Sequence, residues 1–210
     1  NVSVATMSDV ERKAWHSTSP TSEDSFLRAL YEYAGKQYNS ALNYYGQAIG
    51  MAKEDASGFD ALYAAFYHIN RGALRAEMID FISSIDNSYQ RITIDTDPAN
   101  RLLNRGSRTY NYDDAIEDIN KAIKLYPNFA YSYYNRANLH AISNKLPEAY
   151  DDYTKAIELN PNFGEAYYNR GLVQIFMKDT RKGCLDLSKA GELGVKNAYE
   201  ALKYYTAASE

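Results

Sequence analysis

The chain has 210 residues, 45% of them hydrophobic, and a net charge of −4: enough apolar side chains for a core, and too little surplus Lys and Arg to favour a nucleic-acid partner. No run of 18 apolar residues occurs, so no helical membrane span is predicted, and the lone Cys184 cannot form an internal disulfide. Tyrosine is in excess at 21 residues, a side chain that buries a large ring while keeping a polar tip.

Residues 1–21 read as a Ser/Thr-rich tail with a partial helix from Met7 to His16. The start at Asn1, without a methionine, suggests a processed product or an excised piece, and no signal peptide is visible at Asn1–Trp15. Ser19-Pro20 followed by Glu23 and Asp24 has the character of a helix start, with Ser19 as the cap and Pro20 in the first turn. Helices of roughly 22–35 and 38–52 follow, and Ser57-Gly58 closes this 22–60 segment with a loop signal.

Residues 61–111 are the least regular. Helices are expected over about 61–76 and 77–86, and Tyr89–Asp95 alternates with period two and is β-branched, so it reads as extended. An Asn-Arg-small triplet occurs at Asn70-Arg71-Gly72 and again at Asn104-Arg105-Gly106, but from there to Ala115 the spacing is three residues short of the later pattern.

From Tyr112 on the pattern is firm. Helices are expected at 112–125, 130–143, 147–159, 164–177 and 181–192, with Pro127 and Pro161 just past two of them. An offset of 34 residues maps Tyr133-Tyr134-Asn135-Arg136-Ala137 onto Tyr167-Tyr168-Asn169-Arg170-Gly171, and Ala149, Ala156 and Leu159 onto Gly183, Ala190 and Leu193. Backwards, it maps Ala149, Ala156 and Pro161 onto Ala115, Ala122 and Pro127. A fixed period of this length signals stacked helical hairpins. A last helix near 198–205, within a terminal 198–210 segment, would cover the final apolar face.

Residues 130–163 and 164–197 resemble the tetratricopeptide repeat, a 34-residue helix-turn-helix. Tyr133, Ala137, Ala149, Ala156 and Pro161 carry the resemblance in the first unit, and Tyr167, Gly171, Gly183 and Ala190 in the second, where Val195 replaces proline. It is strong over 112–205, fair over 22–55 and weak over 61–111. It implies an all-α, right-handed superhelical solenoid of antiparallel helix pairs with an irregular middle segment. It also implies that first helices line a concave groove, here Tyr131, Tyr134, Asn135, Asn138, Ala141 and Ile142, then Glu165, Tyr168, Asn169, Leu172, Ile175 and Phe176, continued by Tyr199, Leu202 and Lys203. Some members clamp a chaperone's C-terminal carboxylate. Asn138, Asn169 and Lys203 stand in matching places here, but Tyr134 and Tyr199 replace two of the three cations. The ending around Lys182–Leu187 also resembles repeat proteins of Bacteroidetes-type bacteria, whose compartment, cytoplasmic or periplasmic, stays open.

Catalysis finds little support. His16, His68 and His140 lack metal spacing, and no phosphate loop or Gly-x-Ser-x-Gly element occurs. His140 reads as core and Cys184 as a small buried hydrophobe. Arg136 and Arg170 read as structural or solvent-facing. Asp113-Asp114 and Asp151-Asp152 read as helix-start acids that complement the dipole. The expectation is a non-enzymatic scaffold with no cofactor and no metal. Its groove would bind a protein or peptide, and a homodimer remains open. The competing readings are an accessory region of a larger assembly and a small-ligand or glycan binder using tyrosines.

Overall fold

The computed structural model describes residues 20–52, 58–94 and 111–207, without the side chains of 59 and 81–94. Among these residues the chain is all-α, with helices α1 Ser22–Ala34, α2 Tyr38–Met51, α3 Phe59–Ile94, α4 Asp113–Leu125, α5 Ala130–Ile142, α6 Leu146–Leu159, α7 Gly164–Phe176, α8 Thr180–Glu192 and α9 Ala198–Ala207. Two compact units, 1–118 and 119–210, divide the chain within α4.

In the first unit α1 packs on α2, and α2 on α3. Ala29, Ala41 and Tyr45 meet Leu74 in one buried cluster. Thr21 starts α1: its hydroxyl accepts from the Asp24 backbone N–H at 3.1 Å, and the Asp24 carboxylate accepts from the Thr21 N–H at 2.9 Å. This reciprocal box satisfies two of the donors a helix start leaves open. It corrects the expected cap: Ser19 lies outside the described residues, and Pro20 precedes the cap rather than filling the first turn. On the far side of the hairpin, Glu77 of α3 accepts from the Tyr33 and Tyr38 hydroxyls at 2.6 and 3.2 Å. The bond to Glu77 is the main reason the Tyr33 hydroxyl is pushed up to about 12.

Helix α3 departs from expectation twice. Two helices were expected between 61 and 86, and one unbroken helix is found; the stretch 89–94, expected to be extended, continues it. Residue 95 lies outside the described residues. The physical reason is that β-propensity is a weak preference without a partner strand, and no strand exists among the described residues. Propagating an existing helix adds one hydrogen bond per residue fixed, whereas starting another structure does not.

In the second unit α5 pairs with α6 and α7 with α8; α6 packs on α7 and α8 on α9. The seams are made of small residues. Ala137, Ala149, Ala156 and Ala190 are fully buried, and the backbones of Gly171 and Gly183 approach so closely that a Cβ on either would lie within 3 Å of the other's carbonyl oxygen. Tyr153, 2% exposed, fills the volume beside the alanines. Within three hairpins the turn between helices uses a left-handed residue at the same repeat position: Lys36, Asn144 and Lys178, with φ of 60°, 59° and 70°. Replacing Ala149 by Leu is expected to destabilise the protein by about 1–3 kcal/mol through overpacking of the α5–α6 seam. A thermal melt of that variant superimposed on wild type would count against the seam.

Candidate functional site

The expected groove residues come from α5, α7 and α9. Within α5, Tyr131 is 51% exposed and its ring lies 4.7 Å from that of Phe163 and 5.5 Å from that of Phe129. Tyr134 is half-buried, 4.7 Å from Phe163 and 5.9 Å from Tyr153. Asn135, Asn138, Tyr168, Asn169 and Leu172 are half-buried, while Glu165 and Lys203 are exposed. Ala141, Ile175 and Leu202 are half-buried; Ile142, Phe176 and Tyr199 are more than half exposed. Tyr199 leans on α8, its ring filling the space a side chain at Gly191 would need.

Three of these residues are joined by hydrogen bonds. The Tyr153 hydroxyl donates to Asn138 Oδ1 at 2.6 Å, and Asn169 Nδ2 donates to the same oxygen at 3.1 Å and to the Tyr134 hydroxyl at 3.2 Å. Asn138 therefore spends its acceptor on Tyr153 and Asn169 and also bonds the Tyr134 hydroxyl through its amide, whereas Asn169 spends its donors and keeps its carbonyl. Burial is the main cause that raises the Tyr134 hydroxyl above its ordinary 10, and nearby Glu165 adds to it. The group stays neutral, accepts from Asn169 and retains its own proton to donate. Asn135 makes none of these bonds.

Sequence reasoning missed Tyr153 and Phe163 as supports of this array. It also underrated the acids. Asp152 lies in the second turn of α6, is 6% exposed, and receives Arg136 on both oxygens at 2.6 and 2.8 Å. This corrects its assignment to a helix start: the dipole argument holds for Asp113 and Asp114 in the first turn of α4, not for Asp152. Asp186 receives Arg170 in the same manner at 2.7 and 2.9 Å. The third guanidinium nitrogen reaches back to the preceding second helix, Arg136 to Asn120 at 2.7 Å and Arg170 to Thr154 at 3.1 Å. The planar fork of arginine suits this shared task as lysine would not.

Each acid also faces the residue one turn beyond the arginine. Gln174 Nε2 donates to Asp186 Oδ2 at 2.6 Å. His140 Nδ1 sits 3.3 Å from Asp152 Oδ2 without the alignment of a hydrogen bond, and is left buried and unpartnered. In the first unit Asp118 takes both an arginine of the triplet, Arg71 at 2.6 and 3.0 Å, and the residue a turn later, Arg75 at 2.7 Å, with His68 Nδ1 at 3.1 Å as well. Here the arginine comes from α3, 47 residues upstream instead of 16. That answers which triplet serves α4 in the irregular middle; Asn104-Arg105-Gly106 lies outside the described residues. In the first hairpin Tyr44 replaces the acid, and Arg28 stands over its ring at 5.9 Å. Cys184 is half-buried rather than buried. Among the described residues no cluster could hold a metal ion, and no helix is long and apolar enough to cross a membrane.

The tetratricopeptide-repeat family profile matches residues 130–163, and a second profile of the same description matches 152–186. No curated protein sequence matches the chain. Among solved structures, MamA is similar at 16% identity with a TM-score of 0.62, covering 86% of this chain and 84% of its own. MamA from residue 41 to its end, from Desulfovibrio magneticus RS-1, is similar at 13% identity and a TM-score of 0.57, covering 82% and 75%. The Arabidopsis OM64 TPR domain is similar at 20% identity and 0.52, covering 74% and 96%. These likenesses are of fold. Together with the 34-residue recurrence of small seam residues and Arg–Asp pairs, the two profile matches show tetratricopeptide repeats over residues 130–186, in a chain that shares the helical fold of these structures.

Proposed function

We propose that the protein is a non-catalytic interaction scaffold that holds a segment of a partner protein along the wall built by α5, α7 and α9. The observation that carries this reading is the neutral array of Asn138, Asn169 and Tyr134. It offers an amide donor, a carbonyl acceptor and a hydroxyl donor side by side. A peptide backbone presents the complementary alternation of C=O and N–H. Tyr131, Asn135, Tyr168, Glu165, Leu172 and Lys203 flank the array, and rigid tyrosines supply contact area at low entropic loss.

The same array argues against a clamp for a free carboxylate. Such a clamp draws on charge-assisted bonds, yet Tyr134 carries no charge and is bonded to Asn169. The favoured ligand is therefore an internal segment rather than a chain terminus.

The test is capture of partners from the source cell with wild type, with an Asn135/Tyr168/Asn169 triple alanine variant, and with Glu158→Ala on the exposed face of α6. Capture by wild type and Glu158→Ala, with loss of about 2 kcal/mol or more in the triple variant, is expected, because hot spots of this kind concentrate binding energy. Equal capture by all three would overturn the reading.

A further inference from the structure

The wall of α5, α7 and α9 carries one charge that nothing beside it neutralises. Glu165 stands exposed in the first turn of α7. Among the described residues it forms no ion pair, with Lys203 of α9 or any other: the arginines of α5 and α7, Arg136 and Arg170, are held by Asp152 and Asp186. Its carboxylate lies close enough to Tyr134 to help raise that hydroxyl. A ring stands next to it. Tyr131 holds on α5 the repeat position that Glu165 holds on α7, 34 residues on. The Tyr131 ring lies 4.7 Å from Phe163, which caps α7 two residues before Glu165, and 5.5 Å from Phe129. Those two contacts hold the ring in place, while 51% of the residue stays in solvent. An electron-rich ring attracts a cation, and a carboxylate beside it attracts the same sign. Both groups are open to solvent, so a ligand reaches them without displacing any side chain.

We propose that this corner of the wall receives an arginine side chain of the bound partner segment. The inference rests on the groove reading above and adds the charge of its ligand. The planar guanidinium lies along the exposed part of the Tyr131 ring and turns its N–H donors to the Glu165 carboxylate. Asn169, four residues on and so on the same face of α7, keeps a carbonyl for a further donor. A lysine would meet the carboxylate as a point charge but has no flat group to lay on the ring.

The probe is the capped tripeptide acetyl-Gly-Arg-Gly-amide, titrated into the labelled full chain and followed by NMR. Its counterpart carries citrulline, which keeps the shape and the N–H groups of arginine without the charge. Saturable shifts at Tyr131, Tyr134 and Glu165 are expected, with the citrulline peptide bound about fivefold more weakly, the combined worth of an exposed cation–ring contact and an exposed ion pair. Added salt is expected to weaken the arginine peptide alone. Glu165→Gln is expected to remove most of the difference between the two peptides. Glu158→Gln, the same change of charge on the exposed face of α6, is expected to leave it intact. Equal binding of the two peptides at these residues overturns the arginine site and leaves the groove standing. So does a preference for arginine that survives Glu165→Gln. Shifts confined to other helices, or none at millimolar peptide, also overturn it. The groove itself is judged separately by the triple alanine variant, which keeps both Tyr131 and Glu165.

Discussion

Gly183→Ala is expected to lower the melting temperature by several degrees. A Cβ at Gly183 would stand 2.5 Å from Ile175 Cγ1 and 2.6 Å from the carbonyl oxygen of Gly171. The isoleucine could turn aside, but the second obstacle is backbone on the facing helix. The α7–α8 pair would have to part along its length, and parting exposes Leu187 and Val173, both buried. Overpacking of this kind costs about 1–3 kcal/mol and occasionally more, and the backbone clash places this case at or above the upper end. For a chain of this size the drop is about 6–12 °C. Gly46→Ala provides the contrast: its added methyl meets only Arg71 Nη1, at the ordinary distance of 3.9 Å. Removing a flexible glycine from the interior of α2 there should stabilise by about 0.5–1 kcal/mol. If both alanines shift the melt in the same direction, the close approach of α7 and α8 is wrong.

Asp118→Ala should destabilise by about 3–5 kcal/mol. Asp118 is 1% exposed and holds His68, Arg71 and Arg75. Its removal leaves two guanidinium groups beside each other without their counter-charge, and breaking a buried pair by deleting one partner falls in this range. The Arg28–Tyr44 contact, a cation over a ring, is worth less, about 0.5–1 kcal/mol. Denaturant titration should show a lower midpoint at unchanged slope.

Acid provides a second readout. Burial alone would raise the Asp118 carboxyl, but hydrogen bonds from His68 and Arg71 and the charges of Arg71 and Arg75 outweigh it, holding the group below its ordinary 3.8. A carboxylate with a depressed folded pKa contributes stability that is fully present above its unfolded value and is lost as pH falls through the folded one. Wild type should therefore lose stability steeply below about pH 4, and Asp118→Ala, already without this contribution, should decline less in that window. Parallel acid profiles for the two proteins would remove Asp118 from this role.

How much of this could be read beforehand differs from residue to residue. Ala137, Ala149 and Ala156 were placed at the seam by their period, and all three are fully buried. Arg136 and Arg170 recur with the same period, and Asp152 and Asp186 follow them by 16 residues. The pairing was thus present in the spacing but hidden, because Asp152 stands next to Asp151 and adjacent acids invite a surface explanation. Nothing in the spacing announced that Asp118 would take its arginine from 47 residues away, or that 89–94 would extend a helix. Of the fifteen residues named for the groove, Tyr134, Asn138 and Asn169 are joined in one hydrogen-bonded array, which no linear pattern displays.

Outside α3, local spacing was sufficient for helix positions, hairpin pairing and the small-residue seams, because a helix turns side chains at fixed offsets onto one face and a hairpin faces only its neighbours. Packing in three dimensions settled the ownership of each buried charge and the direction in which each asparagine spends its donors. Those depend on which side chains from distant turns come within 3 Å of one another, and a hydrogen bond formed at 2.7 Å disappears with a shift of a single ångström.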